Sequence, residues 1–488
     1  MHWMSAPDYW LSRLVFGRAL ALVYLVAFVS AAFQFPALLG ERGLVPARRF
    51  LAAVPFKRAP TLFHLRYSDR LAKFAAWLGA TLALAVLSGV VEHAPLGVTM
   101  LVWFGLWVLY LSFVNAGQPF FGFVWETLLL ETGFVAIFLG NRTTSPPILT
   151  IYLLRWVLFR LEVGAGLIKV RHDPAWRNLT ALYYHHETQP LPNPLSWYFH
   201  HLPKSLHKAE VAANHVAQLL VPFLLFAPQP VAGIAGIIVI ATQAWLMLSG
   251  NFAWLNLLTL TLAISALPND FLHHVIPVSS PALHDPPAWF GALVIAVMAL
   301  VAVLSYQVVR NMASRRQIMN ASFDPLHLVN TYGLFGDITR DRHEVIIEGT
   351  DESDLTPSTA WKEYEFKAKP GDPARRPIQV APYHLRLDWV MWFAALSPAY
   401  AERWFVPFVA KLLENDRATL RLLRRNPFSA APPAFVRAQL YRYRFTDPRQ
   451  KRTTGNWWTR ELLGEYLPPM ALARSRGAEP DVDAWTAP

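Results

Sequence analysis

Between Ala19 and Arg310 one apolar run follows another, each near the ~20 residues needed to cross a ~30 Å hydrocarbon layer, and beyond Arg310 charged and polar residues alternate with apolar ones. A soluble fold cannot bury so much apolar surface in consecutive stretches, so the chain is read as an α-helical polytopic membrane domain over residues 1–315 followed by a small α+β soluble domain over 316–469. Composition agrees, with 54% hydrophobic and 16% charged residues in 488. The segment 470–488 is rich in Pro, Arg and Ala without periodicity and is expected to be disordered.

About nine transmembrane helices are expected, roughly at 11–35, 71–91, 96–114, 119–139, 147–169, 207–227, 230–249, 252–267 and 287–310. Short polar breaks at Asn115 to Gln118, Pro228-Gln229 and Gly250-Asn251 make neighbouring segments antiparallel hairpins. The first run lacks a small-residue cleavage site and is read as a retained helix. Basic residues gather in two loops, with Arg42, Arg48, Arg49, Lys57, Arg58, Arg66 and Arg70 in the first and Arg171, Arg177 and Lys204 in the fifth, and the intervening loops carry only Arg142. By the positive-inside rule these loops and the C-terminal domain share the cytoplasmic side. The net charge of +11 is spread beside membrane segments and through the C-terminal domain, so anionic lipid headgroups are the expected counter-charge and nucleic acid is not an expected partner. The absence of cysteine excludes thiol nucleophiles, disulfide exchange and cysteine-bound metal.

Six charges lie inside apolar segments: Glu126 and Glu131 in the fourth, and Arg155, Arg160, Glu162 and Lys169 in the fifth. Seven-residue spacings put Arg155, Glu162 and Lys169 on one helix face, and the six sum to zero. The structural reading is a salt-bridge ladder within the bundle, with Glu126 or Glu131 against Arg155 or Arg160; the functional reading is a proton or substrate path.

After the fifth segment comes Trp176-Arg177-Asn178-Leu179-Thr180 and then Tyr183-Tyr184-His185-His186-Glu187-Thr188-Gln189-Pro190-Leu191-Pro192-Asn193-Pro194. Three prolines in five residues bar a regular helix or central strand there, so residues 171–206 are expected to form a rigid, extended interfacial loop. Trp176, Arg177, His185, His186, Glu187, Gln189 and Asn193 are its candidate functional residues. His185, His186 and Glu187 are metal-ligating types, but adjacent residues diverge in direction and no second ligand set has zincin spacing, so a hydrogen-bonded clamp is expected and no metal or other cofactor.

Gly164-Ala165-Gly166-Leu167-Ile168-Lys169, the Trp176-Arg177 pair and the Tyr-His-His-Glu-Thr-Gln-Pro-Leu-Pro-Asn-Pro string together resemble the hallmark of the lipase maturation factor family. The resemblance continues through Leu248-Ser249-Gly250-Asn251-Phe252, Asn330-Thr331-Tyr332-Gly333-Leu334-Phe335-Gly336, Ala381 to Trp389, Asn426-Pro427-Phe428 and Trp457-Trp458. It implies a membrane-embedded folding or assembly factor for client proteins such as secreted lipases, with client binding in the C-terminal domain. Tyr332, Phe335, Trp389, Trp392, Tyr441 and Tyr443 are the candidate client-binding side chains there. It also implies residence in the endoplasmic reticulum membrane for eukaryotic relatives, or the cell membrane for a bacterial chain, with the C-terminal domain on the lumenal or exoplasmic side. That contradicts the charge rule, which is weak for folded domains, and the exoplasmic side is the one expected.

In the soluble domain, strands are predicted at His343–Gly349, Trp361–Lys367 and Phe435–Phe445 and helices near 384–396 and 399–424. No Gly-x-Ser-x-Gly, Walker loop or His-Glu-x-x-His occurs, which favours a binding protein without catalytic residues over an enzyme. The alternative is a membrane enzyme acting on a lipid or quinone-like substrate, since Gly166-Leu167-Ile168-Lys169, Trp176-Arg177 and Thr180-Ala181-Leu182 are also similar to the membrane part of vitamin K-dependent carboxylases. The two differ in geometry: an enzyme needs Lys169, His185, His186 and Glu187 to converge on a cavity, whereas a clamp needs them only to brace the loop.

Overall fold

In the computed structural model, which describes residues 2–472, helix α1 (Trp10–Leu39) is apolar on every side, as a helix surrounded by lipid and other helices should be. It is followed by α2 (Asp69–Ser88), α3 (Leu96–Ala116), α4 (Val124–Ala136), α5 (Ile148–Arg171), α6 (Leu182–Thr188), α7 (Lys204–Leu219), α8 (Val231–Ser249), α9 (Leu255–Ala263) and α10 (Ala288–Ala313). Ser68 caps α2 by accepting the Leu71 N–H at 3.2 Å. The expected disordered tail lies almost wholly outside the described residues.

Among the described residues, five helices are long and apolar enough to cross a membrane: α1 extended back to Pro7, α2, α3, α8 and α10. The other four expected spans do not meet that standard. α4 is 13 residues long and α9 is 9; α5 carries too many charges; and α7 is strongly amphipathic. The reason is burial. α4, α5 and α9 are enclosed by their neighbours, and a helix that packs against protein needs neither full bilayer length nor a charge-free sequence.

The 171–206 region is also more helical than expected, because α6 runs from Leu182 up to Thr188 and the chain turns extended at Gln189, immediately before Pro190. The prolines stop the helix without preventing it, since they follow its last turn.

The C-terminal sheet has strand order β2-β1-β3-β4, all antiparallel, with β1 Arg342–Thr350, β2 Lys362–Glu363, β3 Phe435–Phe445 and β4 Trp458–Met470. β3 has the expected bounds, and β1 exceeds its prediction by a residue at each end. The predicted strand Trp361–Lys367 contracts to two residues. β4 was not predicted: it is an edge strand with Leu462 and Leu463 exposed, an internal Gly464 and two terminal prolines, so it lacks a buried face to set an alternating pattern. α11 (Arg386–Leu396) packs against β1. The long helix predicted near 399–424 is broken into α12 (Phe405–Leu413) and the turn Arg417–Leu420, because Asn415 takes a left-handed φ of 51° and Asp416 caps the second piece.

Candidate functional site

The six intramembrane charges are all buried, yet they do not form a ladder within the bundle. Glu131 pairs with Arg160, and the same carboxylate accepts the Asn330 backbone N–H at 3.1 Å, its side-chain amide at 3.0 Å and the Tyr332 hydroxyl at 2.5 Å. Glu126 pairs with Arg386 of α11 at 2.6 Å and accepts the Tyr110 hydroxyl. Among the described residues Arg155 meets no carboxylate: its guanidinium donates to the carbonyls of Ser265 and Leu225 at 3.2 and 3.0 Å and to the Tyr9 hydroxyl at 2.8 Å. Glu162 accepts from the amides of Gln218 and Gln243 at 3.1 and 2.9 Å, and Lys169 donates to the carbonyl of the same Gln218 at 2.8 Å. The expected self-neutralising cluster is therefore divided. Both α4 carboxylates dock segments that follow the membrane helices, and a glutamine stands between Glu162 and Lys169.

Two glycines allow this geometry. A Cβ on Gly164 would lie 2.4 Å from the Tyr332 carbonyl oxygen, and one on Gly166 would lie 2.7 Å from Leu219, beside Gln218. The Gly-Ala-Gly run thus admits the Asn330–Tyr332 segment on one side of α5 and α7 on the other.

The 171–206 segment is clamped from both sides. Gln189 donates to Ser249 O at 3.0 Å and to Ser196 Oγ at 2.9 Å, and Asn193 donates to Leu248 O at 3.0 Å. From the sheet, buried Arg342 donates to the carbonyls of Glu187 and Pro190 at 2.9 and 3.0 Å while paired with Glu344 at 2.6 Å, and Lys369 completes the group at 2.7 Å from Glu344. Glu187 accepts the Phe445 N–H at 2.6 Å, and burial raises its carboxyl above the usual range. Trp176 donates to the Phe335 carbonyl at 2.8 Å, while exposed Arg177 donates to the Val170 carbonyl at 3.0 Å.

Lys169, His185 and His186 line one cavity together with Glu162, Glu210, Gln218 and Gln243. Glu187 does not join them. His185 stacks on Phe252 with ring centroids 6.1 Å apart, and burial, with Lys169 adding to it, pushes its pKa down to about 4. His186 is pushed well below the usual histidine range by burial, and neither of its ring nitrogens has a hydrogen-bond partner among the described residues. Both rings are therefore neutral at physiological pH.

A second, larger cleft opens between the membrane helices and the C-terminal domain, lined by Phe123, Phe335, Trp392, Phe393 and Tyr400, with Trp389 on its floor. Of the six candidate client-binding aromatics, Tyr332, Trp389 and Tyr443 are only 2%, 4% and 0% exposed. They are core residues: Tyr332 bonds Glu131, Trp389 lies 4.8 Å from Trp125, and Tyr443 donates to Gly371 O at 2.6 Å. Half-buried Tyr441 lies under Arg460 on the sheet. Phe335 and Trp392 alone among the six are both half-buried and in the cleft. Sequence reasoning missed Arg342, Arg386, His207, Glu210, Gln218 and Gln243. Their signals were faint: a charged residue at the N-terminus of an apolar helix, an His-x-x-Glu pair, and single glutamines in apolar runs.

The profile of the lipase maturation factor transmembrane domain matches residues 11–274, and that of the lipase maturation factor C-terminal domain matches residues 328–468. The chain is 40% identical to lipase maturation factor 1 of Bos taurus, over 97% of this chain and 91% of the relative. Against lipase maturation factor 1 of Homo sapiens the identity is 40%, covering 97% and 90%. Lipase maturation factor 2 of Homo sapiens is 30% identical, covering 95% and 83%. No solved structure matches.

Proposed function

The chain belongs to the lipase maturation factor family, and from that premise we propose that it is a multi-pass membrane protein that assists lipase folding by holding incompletely folded client in the cleft between its two domains. The cleft carries the reading, because half-buried Phe335, Trp392 and Phe393 beside the membrane helices offer rigid aromatic surface to an apolar segment of a folding chain. The clamp through Gln189, Asn193 and Arg342 supports it by holding the cleft walls at a constant spacing. A photo-crosslinking amino acid at Trp392 or Phe335, in full-length protein co-expressed with a secreted lipase, should trap newly made lipase in native membranes. The same group at exposed Trp289, on α10, should not. Equal labelling from both positions refutes the cleft as the client site.

A second reading, a membrane enzyme acting on a lipid or quinone-like substrate, is favoured by one observation: Lys169, His185 and His186 do converge on a cavity. In that reading Lys169, held between Gln218 and the ring of Trp176, moves the proton, and Glu187 remains structural. Lys169→Met should then change the lipid or quinone composition of membranes while lipase maturation persists. Loss of lipase maturation with unchanged lipids supports the folding factor alone.

A further inference from the structure

His207 and Glu210 have no part in the clamp or the aromatic cleft, yet they meet His186 at the edge of the inner cavity. Each of the three offers one ligand atom, and these atoms lie within 4.8 Å of one another. His186 is 1% exposed, and both its ring nitrogens and Nδ1 of His207 are buried without a hydrogen-bond partner among the described residues. An unmatched buried imidazole calls for an explanation, and unlike His384, which has aromatic rings around it, His186 has two further ligand-type side chains facing it. The ring neighbours of His186 are Phe199, His185 and His207 at 5.5 to 5.8 Å, and none supplies a bond to it.

The other atoms are arranged as supporting groups. Nε2 of His207 faces the His200 carbonyl at 3.3 Å, and a proton held there leaves the Nδ1 lone pair bare. Oε1 of Glu210 accepts the Trp245 indole N–H at 2.9 Å, which orients the carboxylate and leaves its second oxygen for a ligand. Three residues apart on α7, His207 and Glu210 share a face, and His186 is delivered from α6 across from them.

We propose that His186, His207 and Glu210 form a binding site for a single divalent transition-metal ion of the zinc class. Two neutral imidazoles and one carboxylate suit zinc, whereas magnesium and calcium call for oxygen ligands throughout. Bonds of ~2.0–2.2 Å require the three side chains to draw in around the ion. Three protein ligands leave a fourth position, and because His186 and Glu210 line the cavity, that position belongs to water or to a molecule in it. The expectation of no metal rests on the divergence of adjacent His185, His186 and Glu187; His207 lies 21 residues beyond His186 across four prolines, a separation from which no ligand spacing can be read.

Full-length protein, purified in detergent through a histidine-free tag, stripped with chelator and dialysed against zinc chloride, should retain about one zinc per chain. Cobalt(II) in its place should give the visible absorption of a four-coordinate site. His207→Ala should lower zinc affinity by at least ~100-fold, beyond the usual loss from removing a supporting group, and Glu210→Gln, which keeps the Trp245 bond, by at least ~10-fold. His274→Ala, at an exposed position outside the cavity, should change nothing. Wild-type protein that keeps no zinc and gives no cobalt band overturns the proposal. So does a Glu210→Gln protein that binds zinc as the wild type does, a result that can be read even if the histidine variants fail to fold.

Discussion

At the scale of single residues, Glu126 and Arg386 are both fully buried and 2.6 Å apart, so removing either one strands a buried charge without its counter-ion. Glu126→Gln or Arg386→Met should cost about 3–5 kcal/mol of stability, and the double variant should lose less than the sum of the two. Thermal unfolding in detergent checks this, and strict additivity refutes the coupling. Arg155 should behave differently, because its partners are carbonyls and a hydroxyl: Arg155→Ala combined with Glu126→Gln should be additive. His384 offers a pH handle. It lies among Phe123, Trp125, Trp254 and Trp389 with both nitrogens unpartnered, and burial, with the charge of Arg386 adding to it, holds it well below the usual histidine range. Since its folded value is depressed, the unfolded chain takes up this proton first, and stability should fall as pH drops below about 6.5. His384→Phe should lessen that slope, to which His185 and His186 also contribute, in unfolding measured from pH 7.5 to 5.

At the scale of elements, α5 carries charge because its charged side chains Arg155, Arg160, Glu162 and Lys169 are buried against other elements, and its two glycines set how closely other segments approach. Gly164→Ala would push a methyl group against the Tyr332 carbonyl oxygen, where backbone must move, at a cost of about 1–3 kcal/mol. The strain should appear as faster hydrogen exchange across 328–336 with little change in α1 to α3. Gln189 is the equivalent point in the interfacial segment. Gln189→Ala leaves the Ser249 carbonyl short of a donor, although it still accepts from Ser196 Oγ at 2.8 Å. A loss of about 1–3 kcal/mol is expected, with quicker proteolysis between α6 and α7 as the measured sign; unchanged cleavage would show that Asn193 and Arg342 hold the segment without it.

At the scale of the whole molecule, the contacts group the loops into two sets. The C-terminal domain touches the end of α1 through Gln34 and His384, the turn before α4 through Arg386 and Phe120, and the 171–206 segment through Arg342. The N-terminal residues instead meet the chain near 146 and 269. Since α1 is ~45 Å long, the N-terminus and the C-terminal domain should lie on opposite sides of the membrane. We propose the exoplasmic side for the domain, where exported clients emerge. Alkaline phosphatase fused to the C-terminus of the full chain should be active, and an N-terminal fusion inactive; the reverse pattern refutes the orientation.

Apolar runs, the last long apolar helix α10, β3 with its alternating Tyr441, Tyr443 and Phe445, and α11 were legible in the sequence, because hydrophobic periodicity is a local property that neighbours in the chain report. Family membership was legible too, since it rests on ordered strings of residues. Of the partners of the buried charges, only the pairing of Glu131 with Arg160 was. Glu126 chose Arg386 across 260 residues and Glu131 took Asn330 and Tyr332 beside Arg160, choices made by how domains dock and not by spacing along a helix. The same holds for β4, whose place on an edge left no pattern to read, and for His186, His207 and Glu210, which two helices bring together only after the bundle has closed. Chain-local energetics wrote the elements into the sequence; which side chains share a site was decided by packing between elements distant in the chain.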